Sequence, residues 1–277
     1  MFYFYSISYI IDNLEYCENR DFPWANICST LKRNRQAAID EEVDVDTEWE
    51  KILDDFRKFV NNYQEDIVAI GGVAVYLHIL RMLGSEFMES SHDVDFYISL
   101  AAFANLRDIE EVVPNRRLGK SQIIHKGVEY DIYAERNNSL AIPYDDIVRH
   151  AVLIEGIPCA SLEHLLILKC EAALDRQNTT KGDKDFRDIA KIVVSMALQP
   201  SPSIVDRLQL YWKPAYETIV TKVNHRVFMQ LTGNNAKSAS KWSRVYADFT
   251  KNMLASMARN NEHHGTQKPS GLEDSRD

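Results

Sequence analysis

In "IVAIGGVAVYLHILRML", residues 67–83, a short apolar run turns into helical periodicity at a pair of glycines, Gly71 and Gly72. The run before them reads as a short buried strand, and the run after them as a helix entered directly from it. A corner built this way presents unpaired backbone N–H groups at the positive end of a helix dipole. Glycine there removes the side chain that would keep a phosphate away from those donors. A glycine pair at such a corner also serves tight turn geometry alone, so a second feature is needed before it points to chemistry.

That feature comes one short loop later, in "SSHDVDFYISL", residues 90–100. Residues two apart in a strand share a face, so Asp93 and Asp95 project side by side, about 7 Å apart at Cα, while Val94 and Phe96 face the core. Two carboxylates so placed repel each other and add nothing to packing, and they need a cation. Hard oxygen donors suit Mg2+ or Mn2+ rather than zinc. "VEYDIYAE", residues 128–135, alternates Val128, Tyr130 and Ile132 against Glu129, Asp131 and Tyr133. This is the pattern of a strand with one face on a core and the other on a cleft. Asp131 has the parity to join Asp93 and Asp95 from an adjacent strand, with Glu129 on the same face.

The flanking sequence supplies the frame. Trp49, Ile52, Leu53, Phe56, Phe59 and Val60 recur at three- and four-residue spacing and predict an amphipathic helix with Thr47 as its N-cap. "LAAFANLRDIEEVV" predicts a helix ended by Pro114, "KSQIIHK" and "VEYDIYAE" a strand pair split by Gly127, and "RHAVLIEGIPCAS" a further hairpin. The chain then turns helical. "SLEHLLILKCEAALDR" opens on a capping signature, Ser161 with Glu163 and His164 in the first turn, and carries Leu165, Leu166, Leu168 and Ala172 on its apolar side. "KDFRDIAKIVVSMAL" is a second helix, stopped by "QPSPS", and two or three more fit 204–231 and 241–258. The expected class is α+β: a small mixed β-sheet core with flanking helices, followed by an α-helical region. The expected segments are an irregular N-terminal extension (1–46), the α/β core (47–160), a helical domain (161–259) and a disordered tail (260–277).

A net charge of −9 over 277 residues argues against a protein that coats nucleic acid by bulk electrostatics. A polyanion must be met locally, by basic stretches such as "NRRLGKSQIIHK" or by Lys222, Arg226, Lys241 and Arg244 of the C-terminal helices. Cys17, Cys28, Cys159 and Cys170 show no C-x-x-C spacing and no matching histidine pair, which predicts reduced thiols in a cytoplasmic protein. The aromatic N-terminus "MFYFYSISYIIDN" lacks a basic n-region and is too short to span a bilayer, so no membrane partner is expected.

The order of a glycine pair, a helix, "DVD" at a strand start and one more acid on a later strand resembles the DNA polymerase β type nucleotidyltransferase superfamily. More narrowly, "GGVAVYLH", "DVDF" and "SLEHLLILKCEAALDRQNTTKGDKDFRDI" are similar to the AbiEii-type and related stand-alone bacterial nucleotidyltransferases, several of which are toxins of toxin–antitoxin or abortive-infection pairs. The resemblance spans about 66–196. It implies that Gly71 and Gly72 contact a nucleotide triphosphate, that Asp93 and Asp95 ligate Mg2+ or Mn2+, and that Asp131 is the third catalytic carboxylate. It further implies that Lys169 faces the nucleotide phosphates with Arg176 two turns on, and that Lys184, Asp185 and Asp188 belong to a lysine-and-aspartate helix beside the nucleotide. The implied activity is transfer of a nucleoside monophosphate from an NTP to a hydroxyl on tRNA or protein, with an antitoxin protein as a partner. Two alternatives keep the fold. One is an aminoglycoside-type small-molecule transferase, which the acidic charge would suit, and the other a catalytically silent binding module. The chain departs from the pattern at Val73, where many relatives place a hydroxyl, and at "SSH" before the acids, where His92 stands as a polar contact or a strand cap.

Overall fold

The computed structural model describes residues 47–265, apart from 64–65, 84–86, 90, 92, 177–178 and 200–203. The expectations for 1–46, for 266–277, for His92 and for Cys17 and Cys28 lie outside the described residues. Helix α1 (Thr47–Tyr63) leads into β1 (Ile67–Ile70), which passes without an intervening residue into α2 (Gly71–Leu83). Then come β2 (Asp93–Ile98), α3 (Leu100–Ile109), β3 (Val113–Asn115), a short 3-10 turn, β4 (Lys120–His125), β5 (Val128–Ala134), α4 (Tyr144–Arg149), β6 (Val152–Ile154) and β7 (Ile157–Cys159). The rest is helical: α5 (Leu162–Arg176), α6 (Thr180–Leu198), α7 (Ile204–Tyr211), α8 (Pro214–Lys222), α9 (His225–Leu231) and α10 (Ala236–Gly265). Among the described residues no helix is long and apolar enough to cross a membrane.

The strands form one mixed sheet in the order β3-β4-β5-β2-β1-β7-β6. Its centre is fixed by alternation. Phe96 of β2 and Tyr130 of β5 point to the face covered by α1, where Phe56 and Phe59 meet the Tyr130 ring edge-on at 5.7 and 5.2 Å between centroids. The acidic residues of the same strands are thereby sent to the opposite face. Ala69 of β1 pairs with Cys159 of β7, and the Ala160 N–H donates to the Ala69 carbonyl at 2.9 Å, so α5 starts beside the same central strands. Cys159 and Cys170 are buried free thiols whose pKa burial pushes up.

Five local expectations are corrected. The helix expected to reach Pro114 ends at Ile109, where the Glu110 N–H caps the Leu106 carbonyl, and Val113–Asn115 forms the edge strand β3. Proline is tolerated there because an edge strand has one unpaired side. Helix α1 begins at Thr47 itself, so the cap position before it falls outside the described residues. Helix α5 is buried nearly all round, packed against α2, α6, α7 and α8. Ile167, Cys170 and Ala173 are more deeply set than Leu168 and Ala172. Its cap is as expected, with the His164 N–H donating to Ser161 Oγ at 3.3 Å. Among the described residues four helices stand beyond the linker rather than two or three. The last continues to Gly265, so the start of the segment expected to be a disordered tail is helical. Trp242, Val245, Tyr246, Met253 and Met257 anchor that helix, and propagation past a well-packed stretch costs little.

Candidate active site

The register of β1 on β2 places Ile70 opposite Asp95, which puts the first residue of α2 directly over that carboxylate. Gly71 has φ +70°, a left-handed conformation, and a Cβ built on it would lie 2.2 Å from Asp95 Oδ2. A Cβ on Gly72 would lie 2.4 Å from Ser91 Oγ, with Lys184 Nζ 3.9 Å away. Both glycines are therefore demanded by close approach, and the corner they form opens on the acids, Ser91 and Lys184 together. No other residue type fits either position without displacing a site side chain.

Parallel pairing of β2 and β5 sets Asp93 opposite Glu129 and Asp95 opposite Asp131, so the four acids occupy one face, as their parity requires. Each carboxylate has a different setting. Burial raises the Asp93 pKa, but the hydrogen bond from Ser91 Oγ (2.9 Å) and the charges of Lys184, Lys181 and Lys169 outweigh it and hold the group below the ordinary carboxylate value. Asp95 is pushed up to about 7 by burial first and by the charges of Asp93 and Asp131 next, against the pull of Lys169 and Lys120. Asp131 is gripped from β4: Lys120 Nζ bonds Oδ2, and Gln122 Nε2 donates to Oδ1 at 2.8 Å. Gln122 also reaches Glu129, which lies exposed at the rim. Tyr97 and Tyr133, next along the same face, are paired across the strands. Burial, then the charges of Asp95 and Asp131, raises the Tyr133 pKa. Among the described residues no three His, Cys, Asp or Glu side chains form a ready metal cage.

The helices supply the positive side. Lys184 of α6 donates to Ser91 Oγ at 3.2 Å, completing a chain from Lys184 through Ser91 to Asp93. Lys169 of α5 is buried and paired with Asp188 Oδ2 at 2.7 Å, with Asp185 Oδ1 at 3.7 Å. Burial lowers its pKa, yet Asp188 and Asp185 reverse that and raise it. Arg176 straddles Asp185 through Nε (2.6 Å) and Nη2 (3.1 Å) and keeps a side chain 40% exposed. Asp185 and Asp188 are buried, and they aim Lys169, Arg176 and Lys191 rather than standing open to a ligand. The structure thus brings together Gly71, Gly72, Asp93, Asp95, Asp131 and Lys184, with Lys169 and Arg176 close enough for their charges to act on Asp95.

Three participants escape the sequence motifs: Ser91, Lys120 and Gln122. The last two were accessible in principle. Lys126 and Gly127 both have positive φ, as a two-residue hairpin turn requires, and pairing His125 with Val128 across that turn sets Gln122 opposite Asp131. Ser91 precedes its strand by two residues and follows no periodicity.

No family model matches the sequence, and no curated protein matches it. Among solved structures, the protein JHP933 from Helicobacter pylori aligns over 79% of this chain and 97% of its own at 14% identity and a TM-score of 0.44. An antigenic nucleotidyltransferase-like protein from Paracoccidioides brasiliensis aligns over 70% and 93% at 16% identity and 0.41. The Megavirus polyadenylate synthase aligns over 72% of this chain and 39% of its own at 13% identity and 0.40. Likenesses this remote carry no chemistry across, and the site has to be understood from its own residues.

Proposed function

We propose that the chain is a metal-dependent nucleotidyltransferase that moves a nucleoside monophosphate from an NTP to a hydroxyl on tRNA or protein, in the manner of the toxins of toxin–antitoxin or phage-defence pairs. One observation carries this: Asp95 is enclosed between two other carboxylates, directly beneath a glycine turn that a single methyl group would block. A fold gains no stability from that arrangement and keeps it for a cation and a ligand that the glycines must admit. The donor set is carboxylate oxygen throughout, which fits Mg2+ or Mn2+. A bound ion of this kind polarises a phosphate and offsets the charge of a leaving group.

The chain's own residues do the rest. The amides at the Gly71–Gly72 corner receive the triphosphate at the start of α2. Lys184 and the half-exposed Arg176 offset its charge, while the buried Lys169 shapes the field at Asp95. Asp131, held still by Lys120 and Gln122, takes the proton of the acceptor hydroxyl as its oxygen bonds the α-phosphorus in line, the α–β anhydride bond breaks and pyrophosphate leaves. Arg116 and Arg117 are exposed at the tip between β3 and β4, a short turn before Lys120, and neither forms an ion pair among the described residues. In a chain of charge −9 this local positive tip favours RNA over protein as the acceptor.

The test is incubation of the purified protein with each α-labelled NTP and Mg2+, and with tRNA, cell lysate or an aminoglycoside panel. Label in RNA is expected. Label in the drug alone makes it a small-molecule transferase, and no labelled product with any acceptor refutes transferase activity. Expression in bacteria is expected to arrest growth, and Asp93→Asn to relieve the arrest.

A further inference from the structure

Strand β4 delivers a lysine onto the acid face. Its register against β5 puts Gln122 opposite Asp131, so Lys120, two residues earlier, lies on the same side of the sheet. Both Asp131 oxygens are engaged from this strand, Oδ2 by the Lys120 ammonium and Oδ1 by the Gln122 amide. The Lys120 and Asp131 side chains are only 12% and 4% exposed. A buried pair of this kind is held firmly, because separating it strands an uncompensated charge in the interior. Among the described residues Asp93 and Asp95 have no comparable partner of opposite charge: Ser91 donates to Asp93, and Lys169 spends itself on Asp188 and Asp185.

We propose that Lys120 is a built-in cation of this site. Its ammonium neutralises Asp131, so the site loads one divalent ion, on Asp93 and Asp95, and lysine supplies the positive charge that a second ion would otherwise bring beside Asp131. Charge balance agrees, since three carboxylates are met by one divalent ion and one ammonium. Lys120 is then a positioning residue. It fixes the Asp131 carboxylate for the acceptor hydroxyl whether or not the metal is loaded. The inference rests on the metal-dependent reading of the site.

The test is Mn2+ binding to the full chain, alone and with an α,β-methylene analogue of each NTP. It is followed by loss of the free-ion resonance and by the line shape of the bound ion. The wild type is expected to bind one Mn2+ with an uncoupled six-line spectrum. Lys120→Met, checked for folding by circular dichroism, is expected to bind two, with the exchange broadening of ions about 3.5–4 Å apart. Lys120→Arg, which keeps the charge, is expected to bind one. Two ions in the wild type overturn the proposal, and that result stands even where Lys120→Met does not fold. One ion in both the wild type and a folded Lys120→Met removes Lys120's role and overturns it as well. No Mn2+ in any sample refutes the metal-dependent reading itself, and the proposal with it.

Discussion

Asp95→Asn offers the sharpest physical test of the site, because it can be read without substrate. In the folded protein the Asp95 carboxyl holds its proton up to about pH 7, against an ordinary value of 3.8. Between those values the folded state binds more protons than the unfolded chain, so stability is fully present below about pH 4 and is lost as pH rises toward 7. At about 1.4 kcal/mol per unit, the full shift sets an upper bound of roughly 4 kcal/mol. Asp95 keeps some contact with solvent, and only part of the window lies above pH 5, so the expected loss between pH 5 and 8 is about 2 kcal/mol. Urea unfolding of wild type and variant in EDTA at pH 5, 6, 7 and 8 isolates this term, since other titrating groups, including the depressed Asp93, cancel to first order in the difference. The variant should gain on the wild type steadily up to pH 7 and then run parallel to it. Added Mg2+ at pH 8 should close the gap from the wild-type side alone, because an ion that binds only the folded wild type stabilises it by mass action. Parallel pH profiles, or a variant less stable than wild type at pH 8, would show that the three carboxylates do not press on one another as described.

Gly71→Ala should destabilise the fold by about 1–2 kcal/mol from its left-handed backbone alone, with the contact on Asp95 added, and chemical denaturation reads the sum. Gly72→Val should displace Ser91, break its link between Lys184 and Asp93, and abolish NTP binding in a calorimetric titration while the circular dichroism spectrum is retained. Lys169→Ala should cost about 3–5 kcal/mol, because it leaves Asp188 and Asp185 buried with reduced countercharge. A fall in nucleotide affinity with an unchanged unfolding midpoint would refute that structural role. Arg176→Ala should lower NTP affinity several-fold and also cost stability, because it strips the buried Asp185 of its two hydrogen bonds and leaves it only Lys169 at 3.7 Å.

The acidic face was legible in the sequence wherever a strict two-residue period met an apolar background. "DVDF" and "EYDIY" announce their faces because Val94, Phe96, Tyr130 and Ile132 must go inward, and parity alone then sends Asp93, Asp95 and Asp131 outward together. The glycine corner was legible for a related reason: strand and helix periods meet there with no residue left over for a loop. The failures share a cause as well. The sequence of α5 suggests one apolar side, but α2, α6, α7 and α8 bury its other faces as well, and no period within the helix records those neighbours. Pro114 reads locally as a stop for α3, whereas it belongs to an edge strand whose partner lies beyond the next turn.

The same distinction separates charges that were placed from charges that were understood. Lys169, Arg176, Asp185 and Asp188 were all expected to line the nucleotide, and sequence gives no means of telling which of several neighbouring charges will be spent on one another. The geometry divides them. Asp185 and Asp188 are buried and hold Lys169 and Arg176, which leaves Lys184 as the basic residue of this group that faces the glycine corner without an acid on it among the described residues. Lys120 inverts the case. It stood in a stretch read only as generally basic, yet its ammonium lies on the third carboxylate. A positive charge within bonding distance of a carboxylate changes what else that carboxylate can bind far more than an exposed charge several residues away. On the proposed reading, the number of ions this site takes depends on a residue outside the motif that carries its acids.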